Sequence, residues 1–196
     1  MKKQNRSTGQ RICLLMGVGL LLVAGFLMIF WQWEIRSAAQ KTDTYVQAIR
    51  NGIPEPQSAV PEARRDNTMP VLSIEGTDFV GILELPRYGS SLPVCAQWGR
   101  VSRYPSRFHG SIYDGTLQIG ATTQKGQYDF YREISVGDTV CFTDMEGNRY
   151  TLVVTDLRYA KHADQEVLGG EDAALTVFIK NVYSFEYLIV FCDTFR

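Results

Sequence analysis

Hydrophobic and polar positions divide the chain into three stretches. From Ile12 to Trp31 no residue is charged, and most are Leu, Val, Met, Ile, Phe or Gly. As a helix, that run of about 20 residues is long enough to cross a hydrocarbon core of roughly 30 Å. Residues 34–52 mix Ala, Gln, Lys, Thr and Ile and extend the same helix for a few turns. The run Ile53-Pro-Glu-Pro-Gln-Ser-Ala-Val-Pro61, with Pro70 beyond it, reads as an extended spacer. Each proline there removes a backbone donor and fixes φ.

From Val71 onward the pattern changes to short β runs. Phe79–Leu85 alternates before Pro86, and Ser91–Val94 is a brief second run. Leu117 and Ile119 share one face of 116–120. Residues 138–143 and 149–155 flank the turn Met145-Glu-Gly-Asn148, which predicts a hairpin. Leu175–Ile179 and Glu186–Phe191 read as two buried strands joined by a short loop. Only Tyr128–Ile134 and Asp164–Leu168 look like helical turns. Several short strands at close spacing predict an all-β barrel or sandwich.

Charge places these stretches relative to a membrane. Lys2, Lys3, Arg6 and Arg11 precede the apolar run, and Glu34 follows it before Arg36. The positive-inside rule keeps the N-terminus cytoplasmic and puts the rest outside, with Trp31 and Trp33 at the outer interface. A cleaved secretory signal ending near Ser37-Ala38-Ala39 is the competing reading, and it exports the domain equally well. The organisation read from this is 1–11 cytoplasmic, 12–33 membrane anchor, 34–70 juxtamembrane segment and linker, and 71–196 a single β domain. A 196-residue chain that is 45% hydrophobic and 21% charged, with net charge −1, gives no electrostatic reason to expect nucleic acid. Cys13 lies in the span. Cys95, Cys141 and Cys192 form no CxxC pattern and read as small hydrophobes. No metal-ligand spacing or cofactor motif stands out, and Asp164, Glu166, Glu171 and Asp172 read as a solvated loop.

The order of segments resembles the sortases. Phe79-Val-Gly-Ile-Leu-Glu-Leu-Pro86 followed by Ser91-Leu-Pro-Val94 is similar to their opening strands, and Trp98 sits where one subgroup often has a Trp. Tyr104-Pro-Ser-Arg-Phe-His-Gly-Ser-Ile-Tyr113 and Val136-Gly-Asp-Thr-Val140 match further family motifs. The resemblance runs from about Val71 to Asp193. It implies an eight-stranded barrel behind one N-terminal transmembrane helix, on a Gram-positive cell surface. It also implies transpeptidase chemistry: a Cys thiolate attacks a sorting-signal carbonyl, a His moves protons, and an Arg steadies the oxyanion.

The same resemblance puts the three catalytic positions at Ala121, Lys180 and Tyr187, in place of His, Cys and Arg. A methyl group moves no proton. A lysine amine acylates to an amide, a dead end rather than a thioester. Tyr187 offers one hydrogen bond without a guanidinium charge. The expectation is therefore a pseudosortase with no catalytic residue, no metal and no cofactor. It would be a binding or accessory module for a surface-protein or pilin peptide, or for an active sortase, with Thr122, Lys180, Ser184 and Tyr187 lining a groove. The alternative is a divergent transpeptidase or hydrolase that uses Lys180, Ser184 or Cys192. A third reading is a structural barrel whose groove is filled by Tyr183, Phe185 and Tyr187. His109 and His162 read as solvated loop residues.

Overall fold

The computed structural model describes residues 8–62, 66–99, 104–123, 129–168, 173–181 and 184–194. Helix α1 spans Thr8–Gly52, and the chain divides into two units, Met1–Ala38 and Ala39–Arg196. In the first unit Cys13–Trp33 has a mean hydropathy of 2.7 and none of it is buried against protein, so it is long and apolar enough to cross a membrane.

The second unit begins in the last turns of α1. Thr42, Val46 and Ile49 recur on one helix face and are buried. Val46 and Ile49 pack with Phe79 and Ile82, and Tyr45 and Leu72 lie at the edge of that cluster. Beside it Glu84 accepts from Arg50 at 2.7 Å and also pairs with Arg149, tying the helix end to the wall.

Among the described residues ten strands follow: β1 (Gln57–Ala59), β2 (Leu72–Ile74), β3 (Thr77–Leu85), β4 (Ser90–Cys95), β5 (Ser106–His109), β6 (Leu117–Thr122), β7 (Thr139–Asp144), β8 (Asn148–Ala160), β9 (Leu175–Lys180) and β10 (Tyr187–Thr194). Eight of them close a ring in the order β3-β4-β5-β6-β9-β10-β8-β7, with β7 returning to β3. Closure removes the unpaired edges that an open sheet would present. The β4–β5 and β6–β9 pairs are parallel and the other pairs of the ring antiparallel. β1 and β2 are three-residue strips added to β8 and β3.

Alternation along the strands fills the barrel. Leu117, Ile119, Leu152, Val154, Val177, Ile179, Leu188 and Val190 join one core cluster with Phe142 and Tyr150. Each such side chain contributes about 1.5–3 kcal/mol by leaving water. The opposite face of β9 and β10 is also covered. Phe178, Ile189 and Phe191 pack there with Leu168, and Phe108, Val167 and Tyr187 lie at the margin. Leu168 and Val167 come from the short helix α2 (Gln165–Leu168), whose Val167 N–H donates to Asp164 Oδ1 at 3.0 Å.

Two buried carboxylates brace the scaffold. Asp144 has no exposed surface. It accepts from Tyr113 Oη at 3.1 Å, from the Glu146 and Asn148 N–H groups at 2.9 Å, and from Asn148 Nδ2 at 2.9 Å. Asp138 accepts from Arg87 at 2.6 Å, Tyr88 at 2.7 Å and the Ser135 N–H at 2.9 Å. Burial opposes the Asp138 charge, but the bonds from Tyr88, Arg87 and Ser135 outweigh it and hold the carboxyl below its usual range. Burial and the same carboxylate push the Tyr88 phenol up to about 12.

The strands anticipated from the alternation are present. β8 runs five residues past the anticipated end at Thr155, and β5 was not anticipated. β1 lies inside the stretch read as a spacer, and a 3-10 turn at Asp129–Arg132 stands where a helical turn was anticipated.

Candidate functional site

Three neighbouring strands bring the anticipated site residues together. β6 lies parallel to β9 with Thr122 opposite Lys180, and β9 lies antiparallel to β10 with Lys180 opposite Tyr187. Direct partners in a ladder share a face, so Thr122, Lys180 and Tyr187 form one row. The Thr123 N–H donates to the Lys180 carbonyl at 2.9 Å and closes the end of that ladder. Lys180 is half-buried, and its Nζ lies 5.7 Å from the centroid of the Tyr187 ring. It makes no ion pair with any carboxylate among the described residues.

Ala121 is not in this row. It stands opposite Ile179 and turns into the barrel core. The polar position beside Lys180 is Thr122, one residue further on.

The loop from Lys180 to Tyr187 is tightly bonded. The Asn181 N–H donates to the Glu186 carbonyl at 2.8 Å, and the Phe185 N–H donates to the Asn181 carbonyl at 2.9 Å. Asn181 Oδ1 accepts the Ser184 N–H at 3.3 Å, and Ser184 Oγ accepts the Glu186 N–H at 3.4 Å. Phe185 sits at φ 60°, a left-handed value costly for a bulky side chain, and is 70% exposed. It does not fill a groove. Tyr183 lies outside the described residues.

Below the row, the same face is roofed by aromatic rings. Trp98 stands 5.5 Å from Phe178 and 5.7 Å from Phe108, and Phe178 stands 6.4 Å from Tyr187. A Cβ at Gly120 would run into the Trp98 and Phe178 rings, so the indole lies directly on the backbone of β6. The lone glycine in a strand was the available signal for that close approach. One position further down, Gln118 is buried and its Oε1 has no hydrogen-bond partner among the described residues.

Solved structures share this architecture. Listeria monocytogenes sortase A superposes with a TM-score of 0.51 at 15% identity, over 60% of this chain and 88% of that one. A Clostridium perfringens sortase D5 transpeptidase gives 0.51 at 11% identity, over 60% and 79%. Corynebacterium diphtheriae sortase A gives 0.50 at 13% identity, over 83% and 84%. The chain has the sortase fold. Neither a protein-family model nor a curated sequence matches it.

Within the sortase fold, the other anticipated nucleophiles stand apart from the row or lack its support. Cys192 is fully buried, faces the core and pairs with Leu175, at the far end of β10 from Tyr187. Five residues of strand put it roughly 16 Å away. Burial also pushes its thiol up, away from the nucleophilic thiolate. Burial and the raised thiol both count against Cys192 as a nucleophile. Ser184 is exposed, and its hydroxyl accepts the Glu186 N–H rather than meeting Lys180. His109 ends β5, while His162 is exposed beyond β8. Asp164 caps α2, and Glu171 and Asp172 lie outside the described residues. Among the described residues no group of His, Cys, Asp and Glu could hold a metal ion.

Proposed function

We propose that this chain is a membrane-anchored, extracytoplasmic binding module on the sortase fold, without sortase turnover. It would act as an accessory in attaching proteins or pili to a Gram-positive surface. The observation that carries this reading is the row Thr122–Lys180–Tyr187 at one end of three adjoining strands. The resemblance calls there for an imidazole, a thiol and a guanidinium. Thr122 takes the imidazole place in this reading, because Ala121 turns inward. A hydroxyl, an amine and a phenol can hold a peptide through hydrogen bonds and charge, but they do not make a thioester.

Orientation follows from the basic residues before the apolar run. They keep the N-terminus in the cytoplasm and leave the barrel outside. The test is direct. The full chain, incubated with a sorting-signal peptide and an amine nucleophile, should yield no ligated or hydrolysed product by chromatography, while an active sortase in parallel does. A ligated product would overturn the reading.

A further inference from the structure

The hairpin from Lys180 to Tyr187 carries opposite charges on its two sides. Lys180 and Tyr187 are ladder partners on the outer side. One step further the Asn181 N–H donates to the Glu186 carbonyl, so alternation turns Asn181 and Glu186 to the other side. Glu186 shares the parity of Leu188, which faces the core, and Tyr159 is the partner of Leu188 on that same side. Tyr131 fits this placement, sharing a hydrogen bond with Asn181 and lying within electrostatic reach of Glu186 and Tyr159. Lys180 and Glu186 thus stand on opposite sides of one thin ribbon. Neither makes an ion pair among the described residues.

Between the two charges the tip presents Phe185. Its backbone is left-handed at φ 60°, yet the ring is left in water rather than buried within the chain. The Phe185 N–H bond to Asn181, with the Ser184 bonds beside it, holds that ring in a fixed place. A large aromatic side chain that is rigid before contact is a strong interface anchor, because little freedom is lost on docking. Tyr159, 67% exposed, adds apolar surface on the Glu186 side, and half-buried Tyr187 does so beside Lys180.

This tip is complementary to itself. A wholly acidic partner would suit Lys180 and repel Glu186, and a basic partner would do the reverse. A two-fold axis in the plane of the hairpin and across its tip sets two copies end to end. The outer side of each hairpin then adjoins the inner side of the other, so that both charges meet their opposites.

We propose that the 180–187 hairpin is a homotypic docking tip, with Lys180 of one copy on the partner's Glu186 and the Phe185 rings packed at the axis. A contact of this size is weak in free solution, and confinement of two chains to one membrane raises their effective concentration. Pairing also covers the Lys180 row and would compete with a peptide held there. The proposal goes beyond the reading of that row as a peptide site, since it needs neither a peptide nor an absence of turnover.

Energy transfer between donor-labelled and acceptor-labelled full chains in lipid vesicles tests it. Wild-type transfer should exceed that of Phe185→Asp at equal surface density. Lys180→Glu or Glu186→Lys alone should weaken pairing about tenfold, because each sets like charges together. Mixing Lys180→Glu donors with Glu186→Lys acceptors should restore the transfer, since both contacts regain opposite signs. Phe185→Gly separates the anchor from the loop: glycine takes φ 60° without strain, so the variant should keep its native circular dichroism and still lose the transfer. Transfer that survives all these single changes would place the contact elsewhere on the chain and overturn the proposal. So would absence of transfer in the wild type, or no rescue in the mixture. Loss of sorting-signal peptide binding in Phe185→Asp with transfer unchanged would give the tip to a peptide and overturn it equally.

Discussion

The buried carboxylates and the Lys180 row are both polar sites on one barrel, and they are provisioned in opposite ways. Asp144 has four donors and Asp138 three. Among the described residues, the row and the line below it carry an amine without a carboxylate and an acceptor without a donor, and the loop beside the row holds Phe185 on a strained backbone. Saturated polar groups fix a fold, because removing one strands its partners. Unsaturated groups on a covered face cost stability, and a ligand that completes them recovers that cost. The contrast supports reading the first site as structural and the second as the recognition site proposed above.

The largest effect belongs to the saturated side. Asp144→Ala would take a buried acceptor away from the Tyr113 hydroxyl and from two turn N–H groups, and should cost about 3 kcal/mol in denaturant unfolding. A loss under about 1 kcal/mol would break the contrast. Gly120→Ala comes next. Its methyl group must displace Trp98 or Phe178, so about 1–3 kcal/mol should be lost, with a change in Trp98 fluorescence. Unchanged stability and fluorescence would mean that the indole does not rest on the strand.

Asp138→Asn should cost about 1–2 kcal/mol near neutral pH. It should also alter the acid limb of stability. Because the folded carboxyl titrates below the unfolded value of about 3.9, the native state binds fewer protons there. That stability is present above the unfolded pKa and lost as pH falls through the folded one. The variant should lack this part of the slope, and an identical pH profile would contradict the assignment. The smallest effect is expected in the row itself: Lys180→Met should change stability by less than about 1 kcal/mol, the scale of a half-exposed cation–ring contact. A larger loss would make Lys180 a structural residue.

Much of the fold could be read from alternation and turn chemistry. The 145–148 turn, the paired runs around Lys180 and the closing strand β10 all follow from period-two patterns with glycine or polar breaks. β1 and β2 did not, because three-residue strips owe their conformation to the neighbouring strand rather than to their own sequence. β5 is similarly short, with one half-buried face.

Of the anticipated positions, the ladders set Lys180 beside Tyr187 and put Thr122, not Ala121, in their row. Lys180 and Tyr187 emerge side by side, but β6 is buried at five successive positions from Leu117 to Ala121. Leu117 and Ile119 nevertheless alternate with Gln118 and Gly120, and that period of two already turns Ala121 inward and Thr122 outward; the resemblance, aligned on the motif, named Ala121. Gln118 and Trp98 were hidden for a different reason. Their significance comes from what lies opposite and above them, which no single stretch of sequence reports.

Intact-mass spectrometry of the full chain after exposure to a sorting-signal peptide tests the central claim most directly. An inert row predicts the unmodified mass at every time point, while an active sortase treated alike gains an acyl group. A peptide-sized mass increase mapped to Lys180, Ser184 or Cys192 would contradict it.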